Sequence, residues 1–316
     1  MSARQPRRER GVALLTAILL VALGTIVAAA VASRNAMTAR RGAATFAFEQ
    51  GLLFAQGAEA LAAYALKEDA NSTSRTDHRG ERWAQPYGPV EIAPGAVLEA
   101  VVEDLNGRFN LNTLMLDGAE GDQARQVFER LLESLDLEPR WAQLLADWLD
   151  TDPTALPDGG EDNLYLSQDP PYLAPNGPIT SVSELLALPG FGRERYLRLA
   201  PHVVALPPDA KLNVCTASPY VLDAYNAGQR QYAVDPENTA KQRASGCFPE
   251  LAAYKAGFAD ATQLAQVEAF PQLVDSSSYF RLTSVVRIGT TQFALYSLLL
   301  RANGRVQVVM RSYSPD

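Results

Sequence analysis

Three kinds of side chain are scarce in this 316-residue chain, and each scarcity closes a class of function. Two cysteines, Cys215 and Cys247, are too few for a disulfide-dense scaffold or a four-thiolate zinc site. Two histidines, His78 and His202, leave little room for histidine-based chemistry. Basic residues are outnumbered, 28 Lys and Arg against 36 Asp and Glu, and a net charge of −8 argues against electrostatic capture of a nucleic-acid backbone. Catalytic strings are missing as well. There is no G-x-S-x-G, no H-E-x-x-H, no GxxxxGK[ST] and no Cys-His pairing at an obvious spacing, so a non-enzymatic component is expected. What is present suits a folded protein: 47% hydrophobic and 20% charged residues, with length enough for two domains.

The charge is unevenly placed. The first eleven residues, MSARQPRRERG, carry four Arg against one Glu, so the remainder is more acidic than the total indicates. Val12–Ser33 then runs for 22 residues without a charge, and about 20 apolar residues cross a bilayer as a helix. The basic flank predicts a cytoplasmic amino end. An uncleaved signal anchor is the plain alternative. A secretory signal peptide fits less well, since its apolar region is about 7–15 residues long. After Ser33 the chain continues without proline, rich in helix formers, and Phe46, Leu53, Ala60 and Tyr64 recur at helical spacing. One helix is therefore predicted over 12–67, its first half in lipid and its second half carrying a soluble domain.

The string RRERG followed by VALLTAILLVAL resembles the start of type IV prepilins, a family in which a membrane prepilin peptidase cuts after the glycine and methylates the next residue. The resemblance implies cleavage after Gly11 and methylation of Val12. Most pilins and type II secretion pseudopilins carry Glu at the fifth mature position; here that position is Thr16, and no acid lies between Val12 and Ser33. An unpaired carboxylate in a bilayer costs on the order of several kcal/mol. In the resembling filaments the Glu meets the terminal amine of the subunit above, so its absence suits a subunit with nothing above it. This absence, together with the length, resembles the large K-type minor pseudopilins (GspK family) of type II secretion systems.

The rest of the chain is read in that light. VLEAVVEDL, Val97–Leu105, is a plausible strand, and YFRLTSVVRIG, TQFALYSLLLR and RVQVVMRSY are three β-rich runs joined at Gly289-Thr290 and Asn303-Gly304. Asn-Gly between such runs is a strong hairpin signal. The expected fold class is α+β: a pilin-like long N-terminal helix packed on an antiparallel sheet, with a large, mainly α-helical insertion. The expected divisions are a cleaved leader over 1–11, a transmembrane helix over 12–33, a pseudopilin domain over 34–106 and 279–316, and a helical insertion over 107–278. Inside the insertion Arg108-Phe-Asn-Leu-Asn-Thr113 is echoed by Lys211-Leu-Asn-Val-Cys-Thr216. The echo suggests two related helical subdomains. Thr113 and Thr216 are candidate N-caps for helices over Asp122–Ser134 and Pro219–Ala227. The segments 69–87 and 228–246 show no readable order.

Two motifs bear on chemistry. ITSVSELLALPGFGRERYLRLAPHVV, residues 179–204, reads as helix, Gly-rich hairpin, helix, similar to the helix-hairpin-helix of DNA-binding proteins, with Arg193, Arg195 and Arg198 on the second helix. The acidic balance favours a structural corner in which Gly190 and Gly192 relieve crowding. DWLDTDPTALPDGGEDNLY, residues 147–165, holds six acids and no Lys or Arg. Its charges repel unless a cation lies between them, and hard oxygen ligands on a loop suit Ca2+, although the offsets are not those of an EF-hand. A solvated acidic loop is the bland reading. The resemblance to K-type pseudopilins implies calcium, with Asp150, Asp152, Glu161 and Asp162 as candidate ligands and Asp147, Asp158 and Asn176 behind them. Cys215 and Cys247 are expected to form a disulfide if the domain is periplasmic.

The resemblance implies a minor pseudopilin of the inner membrane with a cytoplasmic amino terminus and a periplasmic head. It would cap the pseudopilus tip and help start its assembly for export of folded proteins. The implied partners are minor pseudopilins I and J, with H as a further one, the prepilin peptidase, and secreted substrate proteins, but no nucleic acid. A type IV pilus minor pilin is the nearest alternative, and a membrane-anchored DNA-binding protein a distant one.

Overall fold

One helix sets the frame for everything else. In the computed structural model, which describes residues 9–72, 75–227 and 230–314 and side chains from Val12 onward, α1 runs unbroken over Glu9–Ala70, roughly 90 Å at 1.5 Å per residue. Residues 1–8 of the expected leader lie outside the described residues. Among the described residues α1 is the one helix long and apolar enough to cross a membrane. Its early part is exposed from Val12 to Val31.

Next come strands β1 (Tyr87–Ala93) and β2 (Ala96–Asp104), then the short strand β3 (Phe109–Asn110). Helices α2 (Gly118–Ser134), α3 (Trp141–Leu149), α4 (Asp162–Leu166) and α5 (Gly192–Leu199) follow, closed by β4 (Val203–Val204). A second set repeats the pattern: β5 (Leu212–Asn213), α6 (Pro219–Tyr225), α7 (Pro236–Arg243), α8 (Leu251–Ala256), α9 (Ala261–Ala269) and β6 (Leu273–Val274). The chain ends in β7 (Tyr279–Ile288), β8 (Thr291–Ala302) and β9 (Arg305–Ser312).

The main sheet is antiparallel in the order β1-β2-β7-β8-β9. β2 meets β7 in unbroken register from Ala96↔Ile288 to Asp104↔Phe280, although the helical region separates them in sequence. The expected strand at Val97–Leu105 and the three carboxy-terminal strands are all present, and Gly289, Asn303 and Gly304 take positive φ at their turns. β1 was not anticipated. Gly88-Pro89 and two register breaks interrupt it, which hides its alternation and also blunts that sheet edge.

The face of α1 that packs on the sheet is not the stripe of large apolar residues. Phe46, Leu53 and Tyr64 are 60%, 67% and 64% exposed. Ala55, Ala58, Ala62 and Leu66 are buried instead, against Trp83, Leu98, Phe280, Leu282, Phe293, Leu295 and Leu299. Small side chains let the helix axis approach the strands closely, and each buried Leu or Phe contributes about 1.5–3 kcal/mol. Glu59 lies in the same face, accepting from Ser297 Oγ at 2.6 Å and from Arg311 Nε and Nη2 at 2.8 Å each, which fastens the edge strand β9 to the helix. Arg311 and Ser297 outweigh burial and hold the Glu59 carboxyl below its usual range.

The helical region has its own core, including Phe109, Phe128, Leu131, Trp141, Leu145, Tyr165, Leu199, Val221 and Tyr254. The sequence echo is a structural one. β3 pairs in parallel with β4, and β5 with β6, so each copy is a short strand, a turn, helices and a returning strand. Matched asparagines hold the two turns: Asn110 accepts from the amide of Asn112, and Asn213 from that of Cys215. The proposed threonine caps are wrong. A 3₁₀ turn over Leu111–Met115 delays the first helix, which starts at Gly118, and Thr113 donates to Asn110 O. In the second copy Thr216 donates to Asp104, while Ser218 caps α6 by accepting from Val221 N. Cys215 and Cys247 form a disulfide, and buried Arg243 donates to Val214 O and Phe248 O, one residue from each half-cystine.

Candidate metal centre

α3 ends where the acids begin. Its last turn carries Asp147, its C-cap is Asp150, and the chain loops out through Asp152 before Glu161 returns it to α4. Carboxylate oxygens of Asp150, Asp152 and Glu161 come within 4.8 Å of one another. No Lys or Arg lies in 147–165, and burial followed by repulsion from Asp152 and Asp147 pushes Asp150 up to about 6. Glu161 is pushed up to about 7 by burial and then by Asp147, Asp150, Asp152 and Asp162.

Orphaned polar atoms collect here. Asp147 Oδ1, Asp150 Oδ1, Glu161 Oε1 and Asn176 Oδ1 are buried acceptors with no donor among the described residues. Trp148 Nε1 and Tyr165 OH are buried donors without acceptors among the described residues, and the Trp148 and Tyr165 rings meet edge-on at 4.8 Å. A buried acceptor left unpaired costs about 1–3 kcal/mol, more when charged. Two of them, Asp150 Oδ1 and Glu161 Oε1, belong to the trio, and with Asp152 beside them they fit a bound hard cation with attendant water, the oxygen-ligand chemistry that Ca2+ takes.

The other candidates sort by position. Asp162 opens α4, and its Oδ1 accepts from Ala174 N at 3.2 Å, so it braces the 170s segment. Asn176 sits at φ 46°. Asp158 is exposed, and its amide donates to Gln143 Oε1 at 3.1 Å. Asp147 is fully buried, with Oδ2 accepting from Leu156 N at 2.9 Å and Gly160 N at 2.8 Å.

A second acidic trio escaped the sequence reading. Asp69 at the end of α1, Asp77 and Glu81 also bring oxygens within 4.8 Å. Here a cation is built in. Arg301 of β8 donates to Asp69 Oδ2 at 3.2 Å and to Asp77, and its guanidinium lies 4.9 Å from the Phe280 ring centroid. No local pattern could reveal this site, because its cation comes from 232 positions beyond Asp69.

The Gly-rich hairpin is structural in its contacts. Gly190 and Gly192 take positive φ, and that rather than relief of crowding is what glycine supplies here, since a Cβ would meet only Trp141 at 3.9 Å from residue 190 and nothing within 4 Å of residue 192. Arg195 binds Glu138 through Nε at 2.9 Å and Nη2 at 2.8 Å, and Nη1 donates to the carbonyls of Gly190 and Phe191. Arg198 pairs with Asp136. Two of the three arginines that resembled a phosphate clamp are spent on acids of this same chain.

The family model described as "Type II secretion system (T2SS), protein K" matches residues 107–208, which include the acidic loop and the hairpin. Type II secretion system protein K of Pseudomonas aeruginosa is 35% identical over 96% of this chain and 93% of its own. That of Klebsiella pneumoniae is 34% identical over 97% of both chains. Among solved structures, a chain of the GspK-GspI-GspJ complex from the enterotoxigenic Escherichia coli type 2 secretion system superposes with a TM-score of 0.75. It covers 87% of this chain and 100% of its own, at 23% identity, and so shares the fold.

Proposed function

The chain belongs to the type II secretion system protein K family, and from that membership we propose that it is a minor pseudopilin that caps the pseudopilus tip and helps initiate its assembly. The observation that carries the reading is α1: one continuous helix, uncharged and exposed over 12–33, whose later turns are bound to a sheet. Such a helix anchors a head to the inner membrane and can lie beside like helices of other subunits. The role is structural rather than enzymatic. Division of the head into a pilin-like body and an inserted helical unit explains why it sits at the tip. A head this wide would obstruct a subunit stacked above it.

Thr16 supports the terminal position. Its hydroxyl lies within reach of Val12 O at 3.1 Å and Ala13 O at 3.0 Å, so the polar group is satisfied inside its own helix and needs no neighbour. The leader is read as cut after Gly11 with Val12 methylated, and mass spectrometry of the mature terminus tests this. Partners of the I and J types follow from the complex that contains the structural relative, with H-type subunits and secreted substrate proteins as further contacts. The full chain in detergent should co-purify with I- and J-type subunits as one complex, and a tag on the head should label one end of a pseudopilus. Labelling along the shaft would overturn the capping role.

Calcium is the cation we assign to the acidic loop, held by Asp150, Asp152 and Glu161, with Asn176 as a further oxygen donor and Asp162 bracing the site. Bound there, it would neutralise three like charges and fix the loop. Isothermal titration of the full chain tests it: heat lost in D152N/E161Q supports the assignment, and unchanged heat removes it.

A further inference from the structure

Asp147, in the last turn of α3 beside the same loop, makes contacts that its acidic neighbours do not. Gln143 and Asp147 stand four residues apart on α3, and therefore on one face of the helix. Between them they accept alternate amides of the loop: Leu156 and Gly160 on Asp147 Oδ2, and Asp158 on Gln143 Oε1. The segment 156–160 is thus docked along α3 by its backbone, immediately before Glu161. Close contact makes the docking exacting. A Cβ placed on Gly159 would lie 2.0 Å from Asp147 Oδ2 and 2.7 Å from its Cγ, and that carboxylate is buried and held by two amides. A side chain at 159 must therefore push the segment off the helix.

We propose that Asp147, which is not among the three acids whose oxygens converge and whose Oδ1 is left over once Oδ2 has taken both amides, is the frame of the cation loop rather than one of its ligands, acting with Gln143 to deliver Glu161 to Asp150 and Asp152, and that Gly159 is the position the frame requires to be bare. This rests on the calcium reading above. Asp147 is a positioning residue: its hydrogen bonds set the shape into which the ion falls, and so the affinity rather than the charge of the site. An isosteric amide can keep that shape. In D147N the side-chain oxygen takes the place of Oδ2 and accepts the same two amides, whereas D147A and G159A lose the docking by deletion and by collision.

The test has two readouts on the full chain in detergent. In calcium-free protein, amide exchange at Leu156, Asp158 and Gly160 should be slow in the wild type and D147N and about tenfold or more faster in D147A and G159A. In calcium titrations D147A and G159A should bind about 10–100-fold more weakly, while D147N stays within about tenfold of wild type. D152N/E161Q should lose binding altogether. Loss in D147N as complete as in D152N/E161Q would make Asp147 a ligand and overturn the proposal, as would wild-type exchange and affinity in G159A. A wild type with the exchange pattern but no calcium heat would overturn the calcium reading instead, and with it the purpose given to the frame.

Discussion

Asp69 and Asp77 of the first trio share an arginine; Asp150, Asp152 and Glu161, equally crowded, pair with no cationic side chain among the described residues. At the first trio burial still pushes Asp77 up to about 6, but Arg301 opposes it. The difference lies in what each site joins. Arg301 ties α1 to β8 and also donates to Leu66 O and Ser277 O, so a permanent cation suits a permanent joint. The loop joins α3 to α4 within the helical region, and under the calcium proposal its cation would be exchangeable, so that its order would depend on the surroundings.

The largest effect should come from removing the built-in cation. Arg301→Ala leaves two carboxylates facing each other in a largely buried place, and the loss should be about 3–5 kcal/mol in denaturant unfolding. Adding Asp77→Asn should recover part of it. Next is the exchangeable cation: calcium at about 100 times its Kd should stabilise by about 2.7 kcal/mol. That gain should vanish in D152N/E161Q and persist in a variant of the first trio that still folds.

Acidity separates the trios further. Burial and then the neighbouring acids push Asp150 up to about 6 and Glu161 up to about 7, from ordinary values of 3.8 and 4.5. The folded loop thus binds protons more tightly than the unfolded chain, and this stabilisation is lost as pH rises from about 4 to 7. Calcium needs the ionised form. The rise in melting midpoint that calcium produces should therefore grow from pH 5 to pH 7.5, whereas raised groups at the Arg301 site contribute equally with and without the ion. A flat difference would break the comparison. The smallest effect is the control: Arg198→Ala removes an exposed pair with Asp136, and its cost should stay under about 1 kcal/mol.

Which parts could be read from sequence follows from range. α1 and the β7–β9 meander declare themselves through long periodic runs and an Asn-Gly turn, and the acidic loop through six acids within 19 residues. The core face of α1 was hidden because alanines make it, and alanine carries little apolar signal compared with Phe46 or Tyr64. The helix caps were displaced because a 3₁₀ turn stands between the threonine and the helix in the first copy. Arg301 could not be paired with Asp69 and Asp77 by any local rule. Nor could the contact of Gly159 with Asp147, since GGED reads only as a flexible turn.

The unbroken register of β2 against β7 has a consequence for how the chain acquires its shape. The central pair of the sheet is made of strands whose facing residues, Asp104 and Phe280, are separated by the whole helical region. Closing so long a flexible loop is entropically expensive, and pairing of this kind slows folding. If the helical region folds first, β3 with β4 and β5 with β6 draw its two ends together, and what the sheet must close is a short gap. The order of folding then departs from the order of synthesis: α1 and β1–β2 emerge first and wait, and the interior of the chain must finish before its ends can meet.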